Sequence, residues 1–225
     1  MSNLFQTIAE YDAAKAKRVP ADVLQTMAAT TRQLETMGIT DRSLKTGDRA
    51  PDFLLPNHLG RPRRLTELLA DSVVVLSFYR GGWCPYCNME LHALQQSLPE
   101  IRASGAELVA ISPELPDKTL DTQARHALEF DVLSDRGNRV SEAFGLAFDL
   151  PEQLRPIYNS LGIDIPAYNG DTSFTLPVPA TYVVDSDGII RFHFVNADYT
   201  RRLEPDELLR ALRGQWPMHA SPGLT

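Results

Sequence analysis

The only two cysteines of the chain stand three residues apart in Trp83-Cys84-Pro85-Tyr86-Cys87. Their flanks constrain the fold more than any other segment. The run Val73-Val74-Val75-Leu76-Ser77-Phe78-Tyr79 before them is apolar and rich in β-branched residues, which suits a buried central strand. Asn88 to Ser97 after them reads as a helix with Met89, Leu91, Leu94 and Leu98 inward, and Pro99 is expected to kink or end it. A strand that ends in C-x-x-C and enters a helix offers the sulfurs unpaired N–H groups and the positive end of a helix dipole. Both favour the thiolate, the nucleophilic form of cysteine. The i, i+3 spacing brings the second thiol close enough to resolve a bond the first has made.

Other uses of the pair explain less. A disulfide closing so short a loop would remove unfolded-state entropy worth only about 2 kcal/mol. A zinc site needs four ligands, and C-x-x-C supplies two; His92 is near, but no second C-x-x-C or H-x-x-H pair exists. A cluster shared between two chains is a further, weaker alternative. Redox chemistry at Cys84 and Cys87 is the favoured use.

With 225 residues, 43% hydrophobic and 23% charged, the chain can build a core without staples. A formal charge of −7 with no basic patch argues against unaided nucleic-acid binding. Arg61, Arg63 and Arg64, punctuated by Pro62, read as a solvated turn. No apolar run reaches the ~20 residues of a membrane span. The first residues lack a basic segment followed by an apolar one, so no secretory signal is expected and the cytoplasm is the expected location, where C-x-x-C pairs are usually catalytic. No nucleotide fingerprint or phosphate-binding glycine loop is present, and Asp185-Ser186-Asp187-Gly188 fits a turn better than a calcium loop, so no cofactor or metal is expected.

Residues 1–42 read as a helical extension. Leu4, Ile8 and Tyr11 share one helix face, and Leu24, Met27, Thr31 and Leu34 share another that starts near Pro20 and stops at Gly38. These stripes are expected to pack back on the main domain, with a homodimer contact as the alternative. Residues 43–216 alternate strands and helices: a brief helix at Leu65 to Leu69, a strand at Glu107 to Ile111, a helix from Lys118 to Leu128, a strand at Phe130 to Leu133, and a helix at Asn138 to Phe144. Such units predict a parallel sheet. The proline-rich stretch from Leu150 to Pro179 reads as a covering loop or interface. A hairpin follows over Tyr182 to Val195, and a last helix opens at Pro205 and buries Leu208, Leu209 and Leu212. Residues 217–225 are expected to be a flexible tail.

From Leu44 to Gly214 the chain resembles the thioredoxin-fold superfamily, and within it the peroxiredoxin-like alkyl hydroperoxide reductase/thiol-specific antioxidant family. The opening Gly47-x-x-Ala50-Pro51-Asp52-Phe53-x-Leu55, the strand Val75 to Tyr79, and the hairpin Tyr182-Val183-Val184-Asp185-x-Asp187-Gly188 carry the resemblance together. It implies an α/β fold with a central mixed sheet flanked by helices, here with the N-terminal helical extension added. Laid on the family's P-x-x-x-T-x-x-C pattern, Cys87 takes the peroxidatic position, Cys84 the threonine position and Arg80 the proline position. The arginine that the family carries before the late strand is replaced by Pro179, which resembles the cis-proline of thioredoxins and glutaredoxins. Pro85-Tyr86 is also similar to glutaredoxins.

The resemblance implies a cofactor-free thiol peroxidase that reduces hydrogen peroxide or organic hydroperoxides and is recycled by thioredoxin or glutaredoxin. Thioredoxin logic makes Cys84 the nucleophile; peroxiredoxin logic makes it Cys87. A protein disulfide reductase, favoured by Pro179, and a non-enzymatic redox sensor are the alternatives. Arg80 is read as a thiolate stabiliser, a holder of a peroxide oxygen, or a surface arginine, and Trp83 as a shield for the dithiol or plain core. Gly81 and Gly82 are read as a sharp backbone turn. Tyr79 and Arg191 are lesser candidates, and His92, five residues past Cys87, is expected to face away from both sulfurs.

Overall fold

The computed structural model describes residues 3–214. Three helices come first: α1 (Leu4–Arg18), α2 (Ala21–Thr36) and α3 (Ile39–Arg42). A small antiparallel pair, β1 (Leu54–Pro56) and β2 (Pro62–Arg64), leads into α4 (Leu65–Asp71). There follow β3 (Val73–Phe78), α5 (Pro85–Ala103), β4 (Ala106–Ser112), α6 (Pro116–Arg125), β5 (Asp131–Ser134) and α7 (Arg139–Ala143). The remainder comprises β6 (Ala147–Asp149), a 3-10 turn (Glu152–Leu154), α8 (Arg155–Ser160), α9 (Ile165–Asn169), β7 (Thr175–Pro177), β8 (Ala180–Val184), β9 (Ile190–Val195) and α10 (Pro205–Leu212).

The central sheet has the order β5-β4-β3-β8-β9. The strand–helix–strand half is parallel, β3 with β4 and β4 with β5, while β8 lies antiparallel to both β3 and β9. The sheet is therefore mixed. Alternate residues of β3 feed opposite layers, as strand geometry requires. Val75 joins the side covered by α5 and α10, with Leu91, Leu94, Leu98, Ile101, Leu208 and Leu209. Val74, Leu76 and Phe78 join the side covered by α4 and α7, with Leu65, Leu68, Leu69, Val140 and Phe144.

Two local expectations are corrected. Pro99 neither ends nor interrupts α5, which runs on to Ala103. Pro99 is exposed, and the buried Leu98 and Ile101 on either side anchor the last turns despite the lost backbone hydrogen bond. The stretch from Leu150 to Pro179 is not a bare loop. It folds into helical turns bracketed by the β6–β7 pair, with Asp164 capping α9 through a 3.1 Å bond from the Ala167 N–H. Its Leu150, Leu154, Tyr158, Ile165 and Leu176 bury against Met27 of α2. The apolar stripe of α1 packs into the core beside α5 through Leu4 and Ile8, and Leu34 of α2 meets Ile39 and Val178. The expected tail at 217–225 lies outside the described residues.

Candidate active site

Cys84 is the N-cap of α5 in an extended conformation, and Pro85 occupies the first helical turn. A proline there sacrifices no hydrogen bond, because that N–H has no helical partner. The connection from β3 turns within Arg80 to Trp83, closed by the Cys84 N–H donating to the Gly81 carbonyl at 3.0 Å. Neither glycine of the turn admits a side chain. A Cβ on Gly81 (φ +153°) would lie 2.3 Å from Trp83 Nε1, and one on Gly82 would lie 2.1 Å from Thr122 Oγ1. The Gly82 N–H donates to Glu114 Oε1 at 2.9 Å, which ties the turn to the end of β4.

Both thiols are buried, Cys84 with 2% exposure and Cys87 with none. Burial alone would raise both pKa values. For Cys84 that effect is outweighed by the hydrogen bond from the Cys87 thiol, by the Arg80 and Arg202 guanidinium groups, and by the Cys87 backbone N–H, so its pKa falls to about 6. For Cys87 burial is reinforced by the Cys84 sulfur it bonds to, and its pKa goes up. The reduced pair is thus polarised, with the negative charge on Cys84 and the proton on Cys87.

Two buried arginines hold that charge. Arg80 packs its guanidinium 4.5 Å from the Tyr199 ring, 5.1 Å from that of Trp83 and 5.6 Å from that of Tyr158, whose hydroxyl it also bonds. Burial opposes its charge, but Tyr158, Cys84 and Tyr199 keep its pKa above the usual value. Arg202, in the segment between β9 and α10, places Nη2 3.4 Å from Cys87 Sγ and Nε 2.7 Å from Glu90 Oε2. Burial raises the Glu90 pKa to about 7, with Arg202 pulling the other way. Arg80 Nε and Trp83 Nε1 are buried donors without a hydrogen-bond partner among the described residues. Together with Pro179, Tyr158 and Tyr199, Arg80 also lines a small, mostly apolar cleft opening beside α2.

The residues singled out from the sequence divide clearly. Arg80 is a buried member of the site, not a surface arginine, because the aromatic rings and the dithiol replace its water. Trp83 packs edge-on against Tyr158 at 5.6 Å and joins two core clusters. Pro179 is buried beside Arg80, but no peptide bond among the described residues is cis, so the cis-proline expectation is corrected. The extended backbone of β8 begins at the next residue and accepts the trans bond. Tyr79 donates to Glu114 at 3.2 Å, Arg191 pairs with Asp185, and His92 is exposed beside Gln96. Arg202 and Glu90 were missed: Arg202 reaches the sulfurs from 115 residues away, and only a charged residue on the inner face of α5 marks Glu90. No described helix is long and apolar enough to cross a membrane. Among the described residues no three His, Cys, Asp or Glu side chains gather as a metal site requires.

The AhpC/TSA family pattern matches residues 46–193. A putative peroxiredoxin of Mycobacterium tuberculosis is 29% identical over 173 residues, covering 76% of this chain and 97% of its own. The chloroplastic peroxiredoxin Q of Sedum lineare is 29% identical over 167 residues, 74% of this chain and 77% of that one. The crystal structure of peroxidoxin BcpB from Mycobacterium tuberculosis superimposes with a TM-score of 0.61 at 26% identity, over 77% of this chain and 99% of that one. With its mixed sheet, helix-capped thiol and family-wide sequence match, this chain belongs to the AhpC/TSA family of peroxiredoxin-like, thioredoxin-fold thiol peroxidases.

Proposed function

We propose that the protein reduces hydrogen peroxide or an organic hydroperoxide through a Cys84–Cys87 dithiol–disulfide cycle and is recycled in the cytoplasm by a thioredoxin- or glutaredoxin-type reductant. The observation that carries this reading is one buried helical turn that places two thiols against the Arg80 and Arg202 guanidinium groups. The Cys84 thiolate attacks the outer oxygen of the O–O bond and becomes a sulfenic acid while the bond breaks. The departing alkoxide, or hydroxide, takes the Cys87 proton and leaves as alcohol or water. The new Cys87 thiolate then attacks Cys84 Sγ, forming the disulfide and expelling hydroxide, which takes a proton from solvent. The unpartnered N–H groups of Arg80 and Trp83 are suited to the peroxide oxygens, since a buried donor gains most from an acceptor that arrives with the substrate.

A second order of attack has its own support. Arg202 touches Cys87, not Cys84, and the family pattern lays Cys87 on the peroxidatic position. Stopped-flow oxidation of the reduced protein by hydrogen peroxide, followed by Trp83 fluorescence, tests both. A Cys87→Ser variant that traps a sulfenic acid on Cys84 supports the first order, and the converse result with Cys84→Ser supports the second. Oxidation no faster than that of an ordinary free thiol refutes the peroxidase cycle.

A further inference from the structure

The dithiol is covered by a helix that lies wholly outside the family-matched residues 46–193. Helix α1 crosses α5 at its first turn. Tyr86, between the two cysteines, packs its ring edge-on against Tyr11 at 5.2 Å and against Tyr199 at 5.5 Å. Its hydroxyl donates to Asp12 and accepts from Lys15 Nζ at 3.2 Å. That Lys15 ammonium stands 5.3 Å from the Tyr86 ring and 6.0 Å from the Tyr199 ring. Tyr11 and Lys15 both lie within electrostatic reach of Cys84. At the far end, the Leu4 and Phe5 N–H groups donate to the Glu204 carboxylate, a cap supplied from just before α10. Arg80, Trp83 and Tyr199 complete the cover.

A protein cannot enter such an enclosure. Thiol–disulfide exchange needs the incoming thiolate in line with the S–S bond, and Cys84 presents only 2% of its surface. Leu4 and Ile8 are the buried residues of α1, Tyr11 packs against the core beside them, and the Asp12–Tyr86–Lys15 latch and the Glu204 cap supply the rest of its hold. Elements held by few apolar contacts open locally while the domain stays folded.

We propose that α1 is a hinged roof over the dithiol, latched by Asp12, Tyr86 and Lys15, and that a dithiol protein reductant reaches the oxidised pair only after α1 lifts. With the roof open, the reductant's thiolate attacks one sulfur to give a mixed disulfide and releases the other as thiolate. The reductant's second thiol then closes its own disulfide, so two electrons pass to the Cys84–Cys87 pair. This proposal rests on reading that pair as the redox centre, but its test does not need a peroxide.

The full-length reduced protein is alkylated in parallel with N-ethylmaleimide and with a bulky polyethylene-glycol maleimide. Asp12→Ala and Glu204→Ala loosen opposite ends of the roof without touching either thiol. Each is expected to raise the bulky-probe rate roughly tenfold, as for any exchange limited by local opening, while the small-probe rate changes less than about twofold. An unchanged ratio of the two rates in both variants overturns the roof, as does an equal rise in both rates. Reduction of the oxidised variants should accelerate with thioredoxin as reductant and stay level with a small phosphine. Peroxide oxidation, measured separately, reports the peroxidase cycle whichever way the roof experiment falls.

Discussion

Replacing Arg80 by methionine isolates the electrostatic part of the site. Methionine keeps much of the volume that Arg80 fills among Trp83, Tyr158 and Tyr199 but removes the charge. With a Cys84 pKa of about 6, about 90% of the protein carries the thiolate at neutral pH. A single nearby opposite charge is worth about 1–2 pKa units at such a site, and Arg202 remains in the variant. The thiolate fraction should therefore fall to between roughly 50% and roughly 10% at pH 7, and the peroxide rate should fall about two- to tenfold with it. The part of the loss due to protonation should disappear as pH rises past the new pKa, leaving any part due to the missing Arg80 N–H at the peroxide. The assay is ultraviolet titration of the thiolate in the Cys87→Ser background, paired with the pH profile of stopped-flow oxidation. An unmoved titration midpoint refutes the assignment of Arg80 as a source of the lowered pKa.

Arg202→Met should destabilise the fold by about 3–5 kcal/mol, because it strands the buried Glu90 carboxylate. The Glu90 pKa of about 7 is raised above its ordinary 4.5, so its contribution is present in acid and lost as pH rises through the folded value. The variant's deficit, read from urea midpoints, should be largest at alkaline pH and shrink in acid. Leu91→Ala, on the fully buried face of α5, should cost about 2–5 kcal/mol in the same assay. Gly82→Ala forces its Cβ against Thr122 Oγ1; a double variant with Thr122→Ala should recover most of the lost peroxide rate if that contact is the cause.

Local pattern made much of this architecture readable. The β-branched apolar run Val73 to Tyr79 suited a buried strand, which β3 forms over Val73–Phe78, and the helix after Cys87 announced itself through leucines at helical spacing. Where the reading failed, the deciding partner lay far away. Pro99 looked like a helix breaker because propensity acts locally, whereas Leu98 and Ile101 hold the last turns from the sheet side. Arg202 carries no local signature; its meaning comes from the fold bringing it to Cys87 and Glu90. Pro179 lies beside Arg80, but its peptide geometry was not legible, since the bond preceding a proline is set by the surrounding backbone.

The Glu204 cap joins residues 199 and 200 positions apart, and the central seam between β3 and β8 joins residues about a hundred apart. Neither contact can form on the ribosome until Glu204 and Ala180–Val184, respectively, have emerged. The Glu204 fastening of α1 is thus made late, whereas the Asp12–Tyr86–Lys15 latch joins residues 74 and 71 positions apart. Helix α1 can therefore dock on α5 well before its far end is capped.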